Sequence, residues 1–262
     1  MPKTFVIADI HGAFKALKQC LERSEFDYEK DTLIQLGDIA DGWNEVYECV
    51  EELLKIKNLI SIKGNHDDWF HLFIETYAHP AGWKQGGLGT LISYLSVTQP
   101  KLNPSDIHYM FIKYGYNFNR YCPLEVEDIP LEHKMFFAKQ RHYYIDEQNR
   151  LFVHGGFDRN KTVSETYFED YFWDRLLWQQ ARSTKGKDKL KTFDDFKKVF
   201  IGHTHVDGKD NKKAKPLYAG NLVWNLDTGA GYTGKLTIMN VDTEEYWQSD
   251  FIPELYPNQK GR

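Results

Sequence analysis

The sequence predicts a single α/β domain, and three observations carry that prediction. The first third of the chain alternates short apolar runs with helix-periodic stretches. The middle third is aromatic-rich and helical in pattern, and strand-like runs resume after residue 149. At 262 residues the chain is close to the size at which one hydrophobic core stops growing, so one domain spanning 1–262 with a sizeable insertion accounts for it.

The elements follow in order. "TFVIA", "AFKALKQCLERS", "TLIQL", "EVYECVEELLKIK" and "LISIK" make a βαβαβ pattern, which implies parallel strands joined by right-handed crossovers. Phe14, Leu17 and Leu21, then Val46, Val50, Leu53 and Leu54, recur at three- and four-residue steps, so these faces and the neighbouring Cys20 and Cys49 are expected in the core. From about 68 to 149 the segments "WFHLFIETYA", "GGLGTLISYL", "PSDIHYMFIKYG" and "PLEHKMFFAKQ", broken by Gly and Pro, read as a helical insertion over the sheet. "RLFVHGGF", "KVFIGHTHV", "LVWNLDTGAG" and "KLTIMNVD" then read as strands, the last two as antiparallel members of a second sheet layer.

Composition narrows the function. A net charge of -5 and a pI near 6.1 provide no basic field for nucleic acid or an anionic membrane, and neither partner is expected. Phosphate chemistry stays open, because bound cations add charge that a residue count misses. Cys20, Cys49 and Cys122 form no C-x-x-C pair and no disulfide framework, which fits a reducing cytoplasm. No stretch approaches 18 apolar residues and the start lacks the pattern of a secretion signal, so membrane spanning and secretion are not expected. The basic stretches "KGKDKLK" and "KDNKKAK" read as solvated loops.

Five apolar runs end in a glycine-containing turn that bears Asp, Asn or His. They are "IADIHG" (Asp9, His11), "LGDIADG" (Asp38, Asp41), "IKGNHDD" (Asn65, His66, Asp67), "FVHGG" (His154) and "FIGHTH" (His203, His205). Each alone is ordinary turn chemistry or a half-buried histidine. Together they belong at the carboxyl edge of the strands, where ligands bind in open α/β folds. Carboxylate, imidazole and amide donors without thiolate suit manganese, iron or zinc, and there are too many donors for one ion. Two divalent ions sharing one carboxylate would use them and would let crowded anionic groups coexist.

"ADIHG", "GDIADG", "GNHD", "HGG" and "GHTH", in this order and each after a strand, resemble the motifs of the calcineurin-like metallophosphoesterase superfamily. Within it the sequence is most similar to the phosphoprotein-phosphatase branch, in particular the small bacterial and phage serine/threonine phosphatases. The resemblance extends through "LDTGA". It implies a β-sandwich flanked by helices, with Asp9 and His11 on a first metal, Asp38 bridging, and Asn65, His154 and His203 on a second. His205 is expected as a further ligand of the first metal. Attack by a metal-bridging hydroxide is implied, with His66 as the general acid that protonates the leaving alkoxide and Asp41 orienting it. The substrate implied is a phosphorylated protein or a small phosphomonoester, and Asn65 is also expected to contact its phosphate. Manganese is the metal expected to serve in vitro.

Several positions depart from the branch. Gly42 stands where a phosphate-clamping arginine follows the second aspartate. Arg175, in "YFWDRLLW", is similar to the second phosphate-binding arginine of phage-type enzymes, against the alternative of an ordinary helix-surface arginine; Arg141 and Arg120 are lesser candidates. Trp43 either stacks on a substrate ring or covers the metal edge. Asp67 is read either as support behind the ligands or as the N-cap of "DWFHLF", with the cap preferred. It also stands where symmetrical dinucleoside tetraphosphatases carry aspartate, so a dinucleoside polyphosphate or nucleotide hydrolase is the alternative function. A non-catalytic metal-binding scaffold is the alternative of a different class, disfavoured by the retained His66.

Overall fold

The structure is a computed structural model and describes all residues except 79–84, 102, 104, 108, 110–123, 187, 207–212 and 260. Two five-stranded sheets form its centre. In the first, β1 (Thr4–Ile7), β2 (Thr32–Gln35) and β3 (Asn58–Ser61) run parallel, as the βαβαβ pattern requires. The connecting helices are α1 (Phe14–Arg23) and α2 (Val46–Leu54), and their buried faces carry Leu17, Cys20, Leu21, Val46, Cys49, Val50 and Leu53. Burial pushes the Cys20 thiol up to about 12, so this cysteine is packing rather than chemistry.

The second sheet contains β4 (Tyr143–Ile145), β5 (Arg150–Val153), β6 (Lys198–Ile201), β7 (Leu217–Ala219) and β8 (Val223–Asn225), in the order β4-β5-β6-β8-β7. β5, β6 and β8 are mutually parallel, with β4 and β7 antiparallel at the two edges. Two expectations need correction. "LVWNLDTGAG" and "KLTIMNVD" do not share a layer: β8 joins β6 in the second sheet, whereas β9 (Thr237–Asn240) runs antiparallel to β1 in the first, with β10 (Tyr246–Gln248) beyond it. The stretch 68–149 is also not helical throughout, because β4 falls inside it as an edge strand of the second sheet.

Strand alternation sorts the side chains into three cores. Val6, Ala8, Ile34, Leu36 and Met239 from one sheet meet Phe152, Phe200 and Leu226 from the other, and the Phe152 and Phe200 rings stack with centroids 4.9 Å apart. The opposite faces bury Phe5, Ile7 and Leu33 against helices on one side, and Leu151, Val153 and Val199 on the other. Of the middle third, α3 (Asn65–Thr76), α4 (Gly87–Thr98) and α5 (Leu131–Ala138) pack on the outside of the first sheet, through Phe70, Leu91, Tyr94 and Phe137. Short helices α6 (Asp170–Trp173) and α7 (Leu176–Ser183) flank the second sheet, and α8 (Ile252–Leu255) returns to α1. Among the described residues no helix is long and apolar enough to cross a membrane. Because the two sheets pack face to face, the carboxyl ends of β1, β2, β3, β5, β6 and β8 open on a common edge.

Candidate metal centre

The turns on that edge are tied to one another. After β1, the N–H groups of Ile10 and His11 both donate to the Asp38 carbonyl at 2.9 Å, and Gly12 N–H donates to Ile39 O. After β3, His66 N–H donates to the Asp38 carboxylate at 3.0 Å. Asp67, at the third position of α3, accepts from Ile39 and Ala40 N–H at 2.8 and 3.0 Å. That last contact widens its expected role: Gly64 occupies the N-cap, and Asp67 accepts Gly64 N–H at 3.3 Å from the third helical position while it binds the second motif loop to the third. His11, Asp38, Asp41 and His203 all sit at positive φ, between 49° and 67°. Four non-glycine residues in this region, each costing on the order of 1 kcal/mol or more, mark a site whose backbone is over-determined by its surroundings.

The ligand atoms form two clusters, Asp9, His11 and Asp38, and Asp38, His154 and His203, each fully buried and sharing Asp38. Hydrogen bonds fix the imidazole tautomers. His11 Nδ1 lies 3.0 Å from the Ala40 and Asp41 carbonyls, and His154 Nδ1 lies 2.8 Å from the Leu36 carbonyl. Carbonyls only accept, so Nδ1 carries the hydrogen in both rings and Nε2 faces inward. His154 Nε2 then points at two oxygens, Asp38 Oδ2 and Asn65 Oδ1, both at 3.3 Å. A lone pair facing two oxygen lone pairs calls for positive charge between them, from a proton or a cation. Burial pushes the imidazolium down, but Asp38 and Asp9 outweigh it and hold His154 up at about 9. In the same way burial, then Asp227 and Asp38, push Asp9 well above the carboxylate range. His203 Nε2 is buried without a hydrogen-bond partner among the described residues. These donors therefore fit two cations bridged by Asp38.

Beside the clusters lies a histidine–aspartate pair. His66 Nδ1–H donates to Asp41 Oδ2 at 2.8 Å, and Asp41 Oδ1 accepts from the Thr90 hydroxyl at 2.7 Å. His66 Nε2 is buried, lacks a hydrogen-bond partner among the described residues, and lies on a ring 5.0 Å from that of His11. Asp41 is fully buried.

The other expected residues are dispersed around this centre. His205 Nδ1 faces Asp227 at 3.0 Å and its ring lines a cavity of about 220 Å³ with Asn65, Trp173, Arg175, His203 and Arg262. Arg175 is in the turn between α6 and α7 rather than on a helix surface, and donates to His203 O and to Thr204 Oγ1 at 3.0 and 2.8 Å. Arg141 lines a separate apolar groove with Leu59 and Phe136, away from the clusters, and Arg120 lies outside the described residues. Trp43 is buried, donates to Ala230 O at 2.8 Å and stacks on Tyr256, so it packs beneath the edge. Asp227, Thr90 and Arg262 were not anticipated. Asp227 stands at the end of β8 in "LDTGA", a strand-end aspartate of the kind that marks the other turns. Thr90 and Arg262 have no comparable signal.

Comparison with known proteins agrees with this geometry. A stretch of this chain is 33% identical over 63 residues to serine/threonine-protein phosphatase 1 of Salmonella typhimurium strain LT2, covering 24% of this chain and 29% of that one. The chain is also 37% identical over 65 residues to the symmetrical bis(5'-nucleosyl)-tetraphosphatase of Buchnera aphidicola, covering 24% of each. The matches thus span less than a third of these relatives. A crystal structure of a candidate diadenosine tetraphosphatase superposes with a TM-score of 0.58 at 17% identity over 95% of both chains, which establishes a shared fold. The family model for calcineurin-like phosphoesterase matches residues 2–207, and with its motif turns in place at one sheet edge the chain belongs to that family.

Proposed function

We propose that this protein is a phosphomonoesterase working with two divalent cations, and that its substrates are phosphoserine or phosphothreonine proteins. The observation that carries the reading is the shared Asp38 carboxylate between two buried donor clusters, with His66 and Asp41 alongside. Asp9, His11 and Asp38 would hold the first cation, and Asp38, Asn65, His154 and His203 the second. His205, oriented by Asp227 through Nδ1, keeps Nε2 for the first. Bound there, the cations supply electrophilic stabilisation of phosphate oxygens and a nucleophilic water near neutral pH. Manganese is the ion of choice in vitro, with iron or zinc as alternatives of the same donor preference.

The protein's own groups do the rest. His66, with Nδ1–H fixed on Asp41, delivers a proton from Nε2 to the leaving alkoxide. Thr90 holds Asp41 in place. Arg175 and Asn65 face the cavity in which the phosphate would lie, and the Arg175 guanidinium supplies directed donors to its oxygens. One observation supports a second reading, hydrolysis of dinucleoside polyphosphates: Trp69 and Trp173 stand 5.4 Å apart beside His66 and His203, an aromatic wall on which a base could stack.

Manganese-loaded protein is expected to hydrolyse an aryl phosphate, and His66→Asn to lower kcat by about 10²- to 10⁴-fold while metal content holds. Equal rates would remove the general acid from the mechanism. Phosphopeptides and diadenosine polyphosphates, compared at matched concentration, decide the substrate; a strong preference for the dinucleotide replaces the first reading with the second.

A further inference from the structure

Gly42 cannot carry a side chain where it stands. Its φ is +114°, and a Cβ there would approach the His11 carbonyl oxygen to 2.9 Å. Gly42 N–H donates to Gly86 O at 2.9 Å, and Gly86, at φ +108°, is equally bare. These two glycines form a shallow track at the rim of the donor clusters. A long side chain lies in it: Arg262 Cγ would be 3.5 Å from a Cβ at Gly42 and 2.8 Å from one at Gly86.

The segment that delivers this arginine is anchored. Arg262 N–H donates to Gly231 O at 2.9 Å. Gly261 lies so close to Gly231 O and the Trp43 indole that an added Cβ would come within 2.5 and 2.8 Å of them. Tyr256 stacks on that indole with centroids 4.8 Å apart. The guanidinium itself rests over the Tyr232 ring at 5.2 Å, reaches His11 Nε2 at 3.0 Å, and leaves a buried Nε with no hydrogen-bond partner among the described residues. It lines the same cavity as Arg175, Asn65, His203 and His205.

We infer that Arg262 is a phosphate-binding residue of the catalytic cavity, set by the Gly42–Gly86 track and the Tyr232 face so that its guanidinium meets the substrate phosphate in the cavity it shares with Arg175. The inference rests on the phosphoesterase reading. A guanidinium offers a fork of N–H donors matched to phosphate oxygens, and an unpartnered buried Nε is a donor held ready for such an acceptor. The His11 Nε2 lone pair cannot serve both a cation and the guanidinium. A cation held by His11 would take that lone pair and free the guanidinium donors for an anion in the cavity.

The test uses the full chain loaded with manganese and titrated with inorganic phosphate by calorimetry, with bound manganese measured in parallel. Arg262→Ala is expected to weaken phosphate binding about 10- to 100-fold and to raise KM for an aryl phosphate more than it lowers kcat, at unchanged manganese content. Arg262→Lys should recover part of the affinity, which a purely structural role would not produce. Unchanged phosphate affinity in Arg262→Ala overturns the inference. So does tighter manganese binding with unchanged phosphate affinity, which would make the guanidinium a competitor for the cation at His11. If the unaltered protein neither binds phosphate nor hydrolyses the aryl ester, the phosphoesterase reading falls with it; phosphate binding in the unaltered protein matched by Arg262→Ala removes only Arg262.

Discussion

The two sheets meet at one edge but equip it differently. The first sheet contributes three consecutive turns, after β1, β2 and β3, bound to each other by backbone donors and by the Asp38 and Asp67 carboxylates. The second sends single side chains across: His154 is fixed by a carbonyl of the first sheet, Leu36 O, and His203 by its own N–H on Asp9. The first sheet is therefore a self-braced frame that holds His66, the proposed general acid, and the shared carboxylate. The second closes it with imidazoles whose positions depend on the frame.

That contrast can be broken most severely at Asp38. Asp38→Ala removes the carboxylate common to both clusters and the acceptor of His66 N–H, so stoichiometric binding of two manganese ions is expected to disappear. Aryl-phosphate turnover should fall by more than about 10³-fold, the equivalent of several kcal/mol of transition-state stabilisation. Retention of both ions would show that the clusters are independent. On the second sheet the effect should be smaller. Asp227→Asn loosens the orientation of His205 without removing a member of either cluster, and a loss of about 10- to 100-fold in affinity for one ion, read by manganese titration, is the expectation.

The smallest effect is expected away from the edge. Glu52 on α2 accepts from Lys18 of α1, Lys55 and the Tyr28 hydroxyl. Burial works against its ionisation, but these hydrogen bonds outweigh it and hold its pKa at about 2, below the ordinary 4.5. A depressed carboxylate pKa contributes stability that is complete above the unfolded value and is lost as pH falls from about 4.5 through 2. Glu52→Gln should lower the melting temperature slightly at pH 7 and flatten its decline over that window, with kcat unchanged. A change in kcat would mean that the outer helices and the edge are mechanically linked.

Much of this was legible because the signals are local. An apolar run of four or five residues ended by Gly and a polar donor specifies both a strand and its functional turn. Asp9, His11, Asp38, Asn65, His66, His154 and His203 each sit in such a turn, and the structure brings them together. What sequence missed depends on tertiary choice. β8 and β9 are both short and apolar, and nothing in either states which sheet has the available partner; the register of Phe5 with Asn240 decides it. Asp67 looked like a cap because caps are read one helix at a time, whereas its acceptors serve a loop 27 and 28 residues away. Thr90 reaches Asp41 from a helix of the insertion, and only the packing of α4 on α2 puts it there.

The bond from His203 N–H to the Asp9 carboxylate spans 194 residues of sequence. Closing so long a loop costs chain entropy, and the contact exists only with both sheets docked. The donor set is thus complete only in the folded chain, and a cation that needs both sheets binds that state alone. Such a ligand raises the midpoint of unfolding by mass action. Metal supply would then set how long the molecule survives heat or a protease, as well as how fast it turns over.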